Sequence, residues 1–190
     1  MPRPKTMPDE EVLAAAFALM RAHGPDGLTF AALAKGTGLS GATLVQRFEN
    51  KTTLIQRALV QAWDGLDRQT AELMATVPRT PEGAIALLVG LSGDYGGIES
   101  YADDLRILRE DLRDPLLRAR GARWRDVLSG VLDECLVGLP GSSPGLGLLM
   151  ASQWQGSLLW WSFDPQTPVT NFVRQGLTRF VEAFARGPAD

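Results

Sequence analysis

The sequence predicts an all-α protein of about nine helices, and three observations carry that prediction. Apolar residues recur at three- and four-residue intervals along almost the whole chain. No stretch alternates apolar and polar residues as a half-buried strand does. Glycine, proline and small polar residues gather where the helical runs stop, as helix starts and stops require. With 190 residues, 45% of them apolar, the chain can bury a sizeable core in one large domain or in a small and a medium one.

Residues 1 to 7 read as an arm, from which Arg3 and Lys5 could reach a neighbouring phosphate. The first helix starts near Pro8: Thr6 and Asp9 stand at capping-box spacing, acids fill the first turn, and Val12, Leu13, Ala16, Phe17 and Met20 make one apolar stripe. Gly24 and Pro25 end it, with His23 in the last turn. Two short helices then occupy residues 28 to 48. Thr29 caps the first, in which Phe30, Leu33 and Ala34 keep helical spacing; Gly38 stops it, Leu39 returns to the core and Ser40 caps the second. In the second, Leu44 and Phe48 face inward, leaving Thr43, Gln46 and Arg47 on a polar face with no apolar partner of its own.

On pattern alone this pair is either an ordinary helical hairpin or a helix-turn-helix, the unit that lays its second helix in a DNA major groove. The order Ala34, Gly38, Leu39, Ser40, Ala42, Thr43, Leu44, Phe48, Lys51 resembles the DNA-binding domain of the TetR family of transcriptional regulators. The resemblance implies an N-terminal three-helix DNA-binding domain over residues 1–54, with the motif at 29–48, and a ligand-binding and dimerisation domain over 55–190. It implies positioning roles on DNA for Thr29, Ser40 and Lys51 and base-edge reach for Thr43 and Gln46, with Gly41 and Ala42 on the same surface. The chain departs from the family at Val45, where a tyrosine is usual. Val45 has nothing to donate to a phosphate, and Arg47 is expected to make that contact from its own place.

After Phe48, Asn50 caps a long helix from Lys51 towards Ala75, periodic in Leu54, Ala58, Leu59, Ala62 and Leu66, and Val77 and Pro78 close it. Pro81 to about Gly93 is the next, with Ile85, Leu87, Leu88 and Leu91 inside, followed by a glycine-rich loop. From about Glu99 to Arg113, Leu105, Leu108 and Leu112 are expected inside and Arg106, Arg109 and Arg113 outside. Pro115 opens a helix through Trp124, Leu128, Leu132 and Leu136, which Gly138 and Pro140 end. The last two helices run near Pro144 to Phe163 and near Pro168 to Arg186, with apolar stripes wider than one neighbour needs. In the resembled family the last two helices of each subunit form a four-helix dimer interface. That implies a homodimer, here through Leu158, Phe172, Val173, Gly176 and Phe180.

Composition narrows the function. The formal net charge is -3, so any nucleic-acid contact rests on a local patch rather than on a basic coat. Residues 1–54 carry six bases against five acids, and the remainder 13 against 17. Cys135 is the sole cysteine, which excludes an intramolecular disulfide, and its reading is plain core. His23 has no second imidazole or thiol beside it, so no metal site is expected. A basic N-terminus without an apolar run behind it gives no signal peptide, and the uncharged run from Cys135 to Phe163 is broken by Pro140 and Pro144, so a cytoplasmic protein with no membrane span is expected. Residues 141 to 145 spell G-x-S-x-G, but the hydrolase elbow needs a preceding strand and a later histidine base, and the only histidine lies far upstream. No phosphate loop, dinucleotide fingerprint or cofactor motif is present, and an enzyme is not expected.

The expected function is a ligand-responsive transcriptional regulator that binds a pseudo-palindromic double-stranded operator as a homodimer, with repression as the default sign. A small hydrophobic effector is expected among Tyr95, Tyr101, Trp124, Gln153, Trp154, Ser157 and Trp161, because apolar sites are lined by aromatic groups with a few polar ones. The other class is a small-molecule-binding or protein-interaction helical module whose helix-turn-helix has degenerated.

Overall fold

Short polar side chains start helices at Thr29, Ser40, Asn50 and Thr80, and Gly38 ends one in the left-handed region. The structure, a computed structural model, describes residues 7–93 and 98–186. Tyr95, Arg3, Lys5 and Thr6 lie outside the described residues. Along the chain run α1 (Asp9–Gly27), α2 (Phe30–Thr37), α3 (Gly41–Phe48), α4 (Lys51–Thr76), α5 (Pro81–Leu91), α6 (Ile98–Arg113), α7 (Pro115–Leu136), α8 (Leu146–Phe163) and α9 (Val169–Ala185), with no strand among the described residues. The fold is all-α. By packing the chain divides into two units: Met1–Leu66 with Glu99–Gly121, and Asp67–Ile98 with Ala122–Asp190. Helices α4 and α7 each contribute to both.

In the first unit, α1 is broken at Gly24, whose φ of 73° and ψ of 168° are non-helical, and a further turn carrying Pro25 extends to Gly27. Glycine suits that place by its positive φ, and the Arg106 guanidinium of α6 lies against it. The core gathers Val12, Ala16, Met20, Leu33, Leu44, Phe48 and Leu54 from the first four helices and Leu28 from the α1–α2 connection, with Ile107 and Leu117 from further along the chain. Helix α6 turns a different face inward from the one its leucines suggest. Leu105, Leu108 and Leu112 are 41, 44 and 60% exposed, while Tyr101 and Ile107 are buried. Two aspartates join that inward face: Asp104 takes Arg21 Nε at 2.8 Å and Nη2 at 3.2 Å, and Asp111 accepts the Trp63 indole N–H at 3.1 Å. Paired polar groups outcompete leucines for the inward position here because each finds a donor on another helix.

In the second unit three indole N–H groups are each held by an oxygen: Trp124 gives to Thr70 Oγ1 at 2.9 Å, Trp154 to Ser92 Oγ at 2.9 Å and Trp161 to the Thr167 carbonyl at 2.8 Å. Helix α8 starts at Leu146, after Gly145 in the left-handed region. Its Gly147 sits against α7, where a Cβ would meet Ser129 O at 2.3 Å, and its N–H gives to Asp133 Oδ1 at 2.6 Å. Backbone approach of that kind leaves room for no side chain. Cys135 is buried, and that burial pushes its thiol up, so it stays a protonated core group. The G-x-S-x-G segment joins α7 to α8 and follows a helix, not the strand the hydrolase elbow requires. Among the described residues no helix is long and apolar enough to cross a membrane, and no cluster of His, Cys, Asp and Glu could hold a metal ion.

Candidate nucleic-acid interface

The α2–α3 turn is assembled from three local devices. Thr29 Oγ1 accepts Ala32 N–H at 3.0 Å and so starts α2. Gly38, at φ 73° and ψ 12°, ends it, with its N–H on the Ala34 carbonyl. Ser40 Oγ accepts Thr43 N–H at 3.0 Å and lies 2.8 Å from Thr43 Oγ1, which starts α3. Leu44 and Phe48 are 0% exposed, so the opposite face of α3 is fixed outward: Gly41, Ala42, Val45 and Gln46 are exposed, with Thr43 and Arg47 half-buried. That exposed face is small at its N-terminal end and carries a hydroxyl and an amide, groups of the kind that can hydrogen-bond base edges.

The joint to α4 is tight. Glu49 has φ 60° and ψ −65°, and Asn50 N–H reaches back to the Phe48 carbonyl at 2.6 Å, which makes a strained three-residue γ-turn. Asn50 then caps α4 through Oδ1 to Thr53 N–H at 2.9 Å. Lys51, in the first turn of α4, gives one donor to the Asp26 carbonyl at 3.2 Å and has further N–H groups for a phosphate.

Arg47 has partners the sequence did not reveal. Its Nη1 gives to the Met7 carbonyl at 2.6 Å and lies 3.5 Å from Asp9 Oδ1. The other oxygen of Asp9 takes Arg57 Nη2 at 2.9 Å, while Arg57 Nη1 holds the Arg47 carbonyl at 3.1 Å and its guanidinium covers the Phe48 ring at 4.8 Å. Asp9 and Arg57 thus brace α3 against α1 and α4. The sequence presented Asp9 only as an acid suited to a helix N-terminus; its partners stand 38 and 48 positions away, where no spacing rule reaches.

The residues expected around an effector do not converge on one place. Trp124 and Trp154 meet with ring centroids 6.3 Å apart. Tyr101 is buried in the first unit. Gln153 and Ser157 line a groove between α8 and α9 with Gly156, Trp160, Phe172, Gly176 and Phe180, and the Trp161 indole gives to the Thr167 carbonyl just before α9. Of the residues expected at a dimer interface, Leu158 and Val173 are buried inside the unit, whereas Phe172, Gly176 and Phe180 border that groove.

Residues 12–58 match the family model of the bacterial regulatory proteins, tetR family. No curated protein matches the chain in sequence. Solved structures do match its fold. A transcriptional regulator from Rhodococcus sp. Rha1 superposes with a TM-score of 0.74 at 17% identity, over 95% of this chain and 97% of that one. A transcriptional regulator from Saccharomonospora viridis, solved in complex with choline, gives 0.72 at 21% identity over 92% and 95%. The TetR family transcriptional regulator PfmR from Thermus thermophilus gives 0.61 at 18% identity over 94% and 99%. The family and these neighbours are transcriptional regulators rather than enzymes. Residues 12–58 are therefore a tetR-family helix-turn-helix segment, in a chain that has the fold of the TetR-family transcriptional regulators over its length.

Proposed function

We propose that the protein is a homodimeric repressor that leaves its operator when a small hydrophobic molecule binds, with DNA recognition in residues 1–54 and sensing and dimerisation in 55–190. The observation that carries the DNA half is the outward face of α3, small and polar where Leu44 and Phe48 fix the inward one. Thr43 and Gln46 read bases, Gly41 and Ala42 allow the approach, and Ser40, Thr29 and Lys51 set the position on the backbone. Arg47 serves first as a brace through Met7 and Asp9 and contributes its charge to the same surface. Two copies related by a two-fold axis place their α3 helices about 34 to 36 Å apart, one DNA turn, which requires a pseudo-palindromic site. The groove between α8 and α9 and the exposed Trp160 and Phe163 support pairing of these helices with their copies.

For the effector, the pairing of Trp124 with Trp154 supports a site in the second unit, with the Thr70 and Ser92 hydroxyls as its polar groups. The choline complex of the Saccharomonospora regulator supports small-molecule sensing in this fold. Coupling to DNA runs along α4, which begins beside α3 and ends at Thr76. A mobility-shift assay against DNA flanking the protein's own gene, run over a salt series, tests the reading. A shifted band whose affinity falls with salt and with hydrophobic compounds supports it. The second reading, a binding module with a degenerate helix-turn-helix, is motivated by exposed Val45 and inward Arg47, and it requires that no DNA sequence be preferred over any other.

A further inference from the structure

A second cleft, of about 330 Å³, opens within the first unit between α1, α4 and α6. Its walls are apolar and aromatic: Phe17, Leu59, Trp63, Ile107 and Leu108. Three charged groups reach it, and they are not equivalent. Arg21 and Asp104 satisfy each other through two hydrogen bonds. Asp111 has only the Trp63 indole N–H, at 3.1 Å, and no ion pair among the described residues involves it. Burial, with Asp114 and Glu110 beside it, pushes the Asp111 carboxyl up against that one indole bond. With Arg21 cancelled by Asp104, the cleft holds one uncompensated negative charge beside an aromatic wall. A carboxylate partly removed from water calls for a cation, and an aromatic face beside it attracts one as well.

We propose that this cleft binds a small organic monocation, its ammonium on Asp111 and its apolar body between Phe17, Leu59 and Leu108. The volume stands at the small end of ligand sites, which suits a single ring or a short branched chain. An anion is disfavoured, since the only guanidinium at the cleft is already held by Asp104. Because walls come from both α1 and α6, an occupied cleft ties α6 to the helix whose Asp9 braces α3. That consequence for DNA rests on the regulator reading above; the binding itself does not.

Titration calorimetry on the full chain tests it with phenethylammonium, benzyltrimethylammonium and cyclohexylammonium, and with 2-phenylethanol as the neutral counterpart. At least one ammonium is expected to bind with a Kd below about 1 mM, and 2-phenylethanol at least about tenfold more weakly. Asp111→Asn keeps an acceptor for the indole and removes the half-buried charge, so it should keep its helical circular dichroism and lose about tenfold in ammonium affinity. Ala62→Leu, which fills the cleft, should weaken ammonium and alcohol alike. Equal affinity for charged and neutral compounds, unchanged binding by Asp111→Asn, or no heat from any ammonium at about 10 mM would each overturn the site. Operator binding measured in parallel separates the two readings: ammonium binding retained by a protein that prefers no DNA sequence overturns the regulator and supports the site.

Discussion

The helix-turn-helix and the α8–α9 pair are each two helices joined by a short connection, and they treat apolar side chains in opposite ways. In the first, Leu33, Leu39, Leu44 and Phe48 are all buried, and what remains outside is mostly glycine, alanine, hydroxyl, amide and the Lys35 ammonium, with Val45 the one large apolar side chain exposed. In the second, Leu177 and Val173 are buried, yet Trp160 stays 68% and Phe163 74% exposed. The first pair closes its core within one chain. The second leaves rings for something else to cover. The proposed function accounts for the difference: a surface for a hydrated, charged partner calls for caps and small polar groups, whereas one for another copy calls for rings that water disfavours.

Substitutions can break or sharpen that contrast. The largest effect is expected at Phe48→Ala, which empties a fully buried site and should lower unfolding stability by about 3–5 kcal/mol in a urea titration. Next comes Phe180→Asp, placed at the α8–α9 groove; sedimentation should find it monomeric where wild type is dimeric, a loss of about 2 kcal/mol or more. A wild type that sediments as a monomer at micromolar concentration would remove the dimer altogether. On DNA, Thr43→Val should change the preferred base at one position by about 1–3 kcal/mol, while Lys51→Ala should weaken all sequences alike and reduce the salt slope by about one. Ser40→Ala should cost about 1 kcal/mol of stability through the lost cap, seen as a lower melting temperature. Smallest is Phe163→Ala: although it deletes a ring as large as that of Phe48, the unfolding stability of the isolated monomer should move by no more than about 0.5 kcal/mol. A large loss there would mean that the ring is covered in the monomer and that the contrast is false.

The helix-turn-helix is legible in the sequence because its determinants are local. Thr29, Gly38, Ser40 and Asn50 each act within four residues, and all four perform in the structure the role their type and spacing predict. Helix α6 is not, because two stripes fit the same period and the pattern favours leucine over aspartate for the inside. Asp104 and Asp111 win that place through Arg21 and Trp63, which lie 83 and 48 positions away. A similar limit applies to α9. Val169, Val173 and Leu177 are buried, and Phe172, Gly176 and Phe180, one residue round the helix, border the groove. The sequence shows one broad apolar stripe there, and only packing divides it between the chain's own core and its surface. The aromatic residues of the second unit illustrate the same point, since composition collected them and their hydrogen bonds disperse them.

The interleaving of the two units has a consequence for how the protein is made. Ile107 and Leu117 belong to the same core as Val12 and Phe48, so the first unit cannot close its core when its first four helices have left the ribosome. The chain must first extend from Leu66 to Gly121, which at synthesis rates of roughly 5–20 residues per second is a wait of roughly 3 to 11 seconds. During that interval the side of α1 and α4 that α6 will cover, Phe17 and Trp63 included, stays open to water and to chaperones. A fragment ending at Leu66 keeps that state permanently, carrying all the residues proposed to face DNA without Ile107 and Leu117, which complete their core.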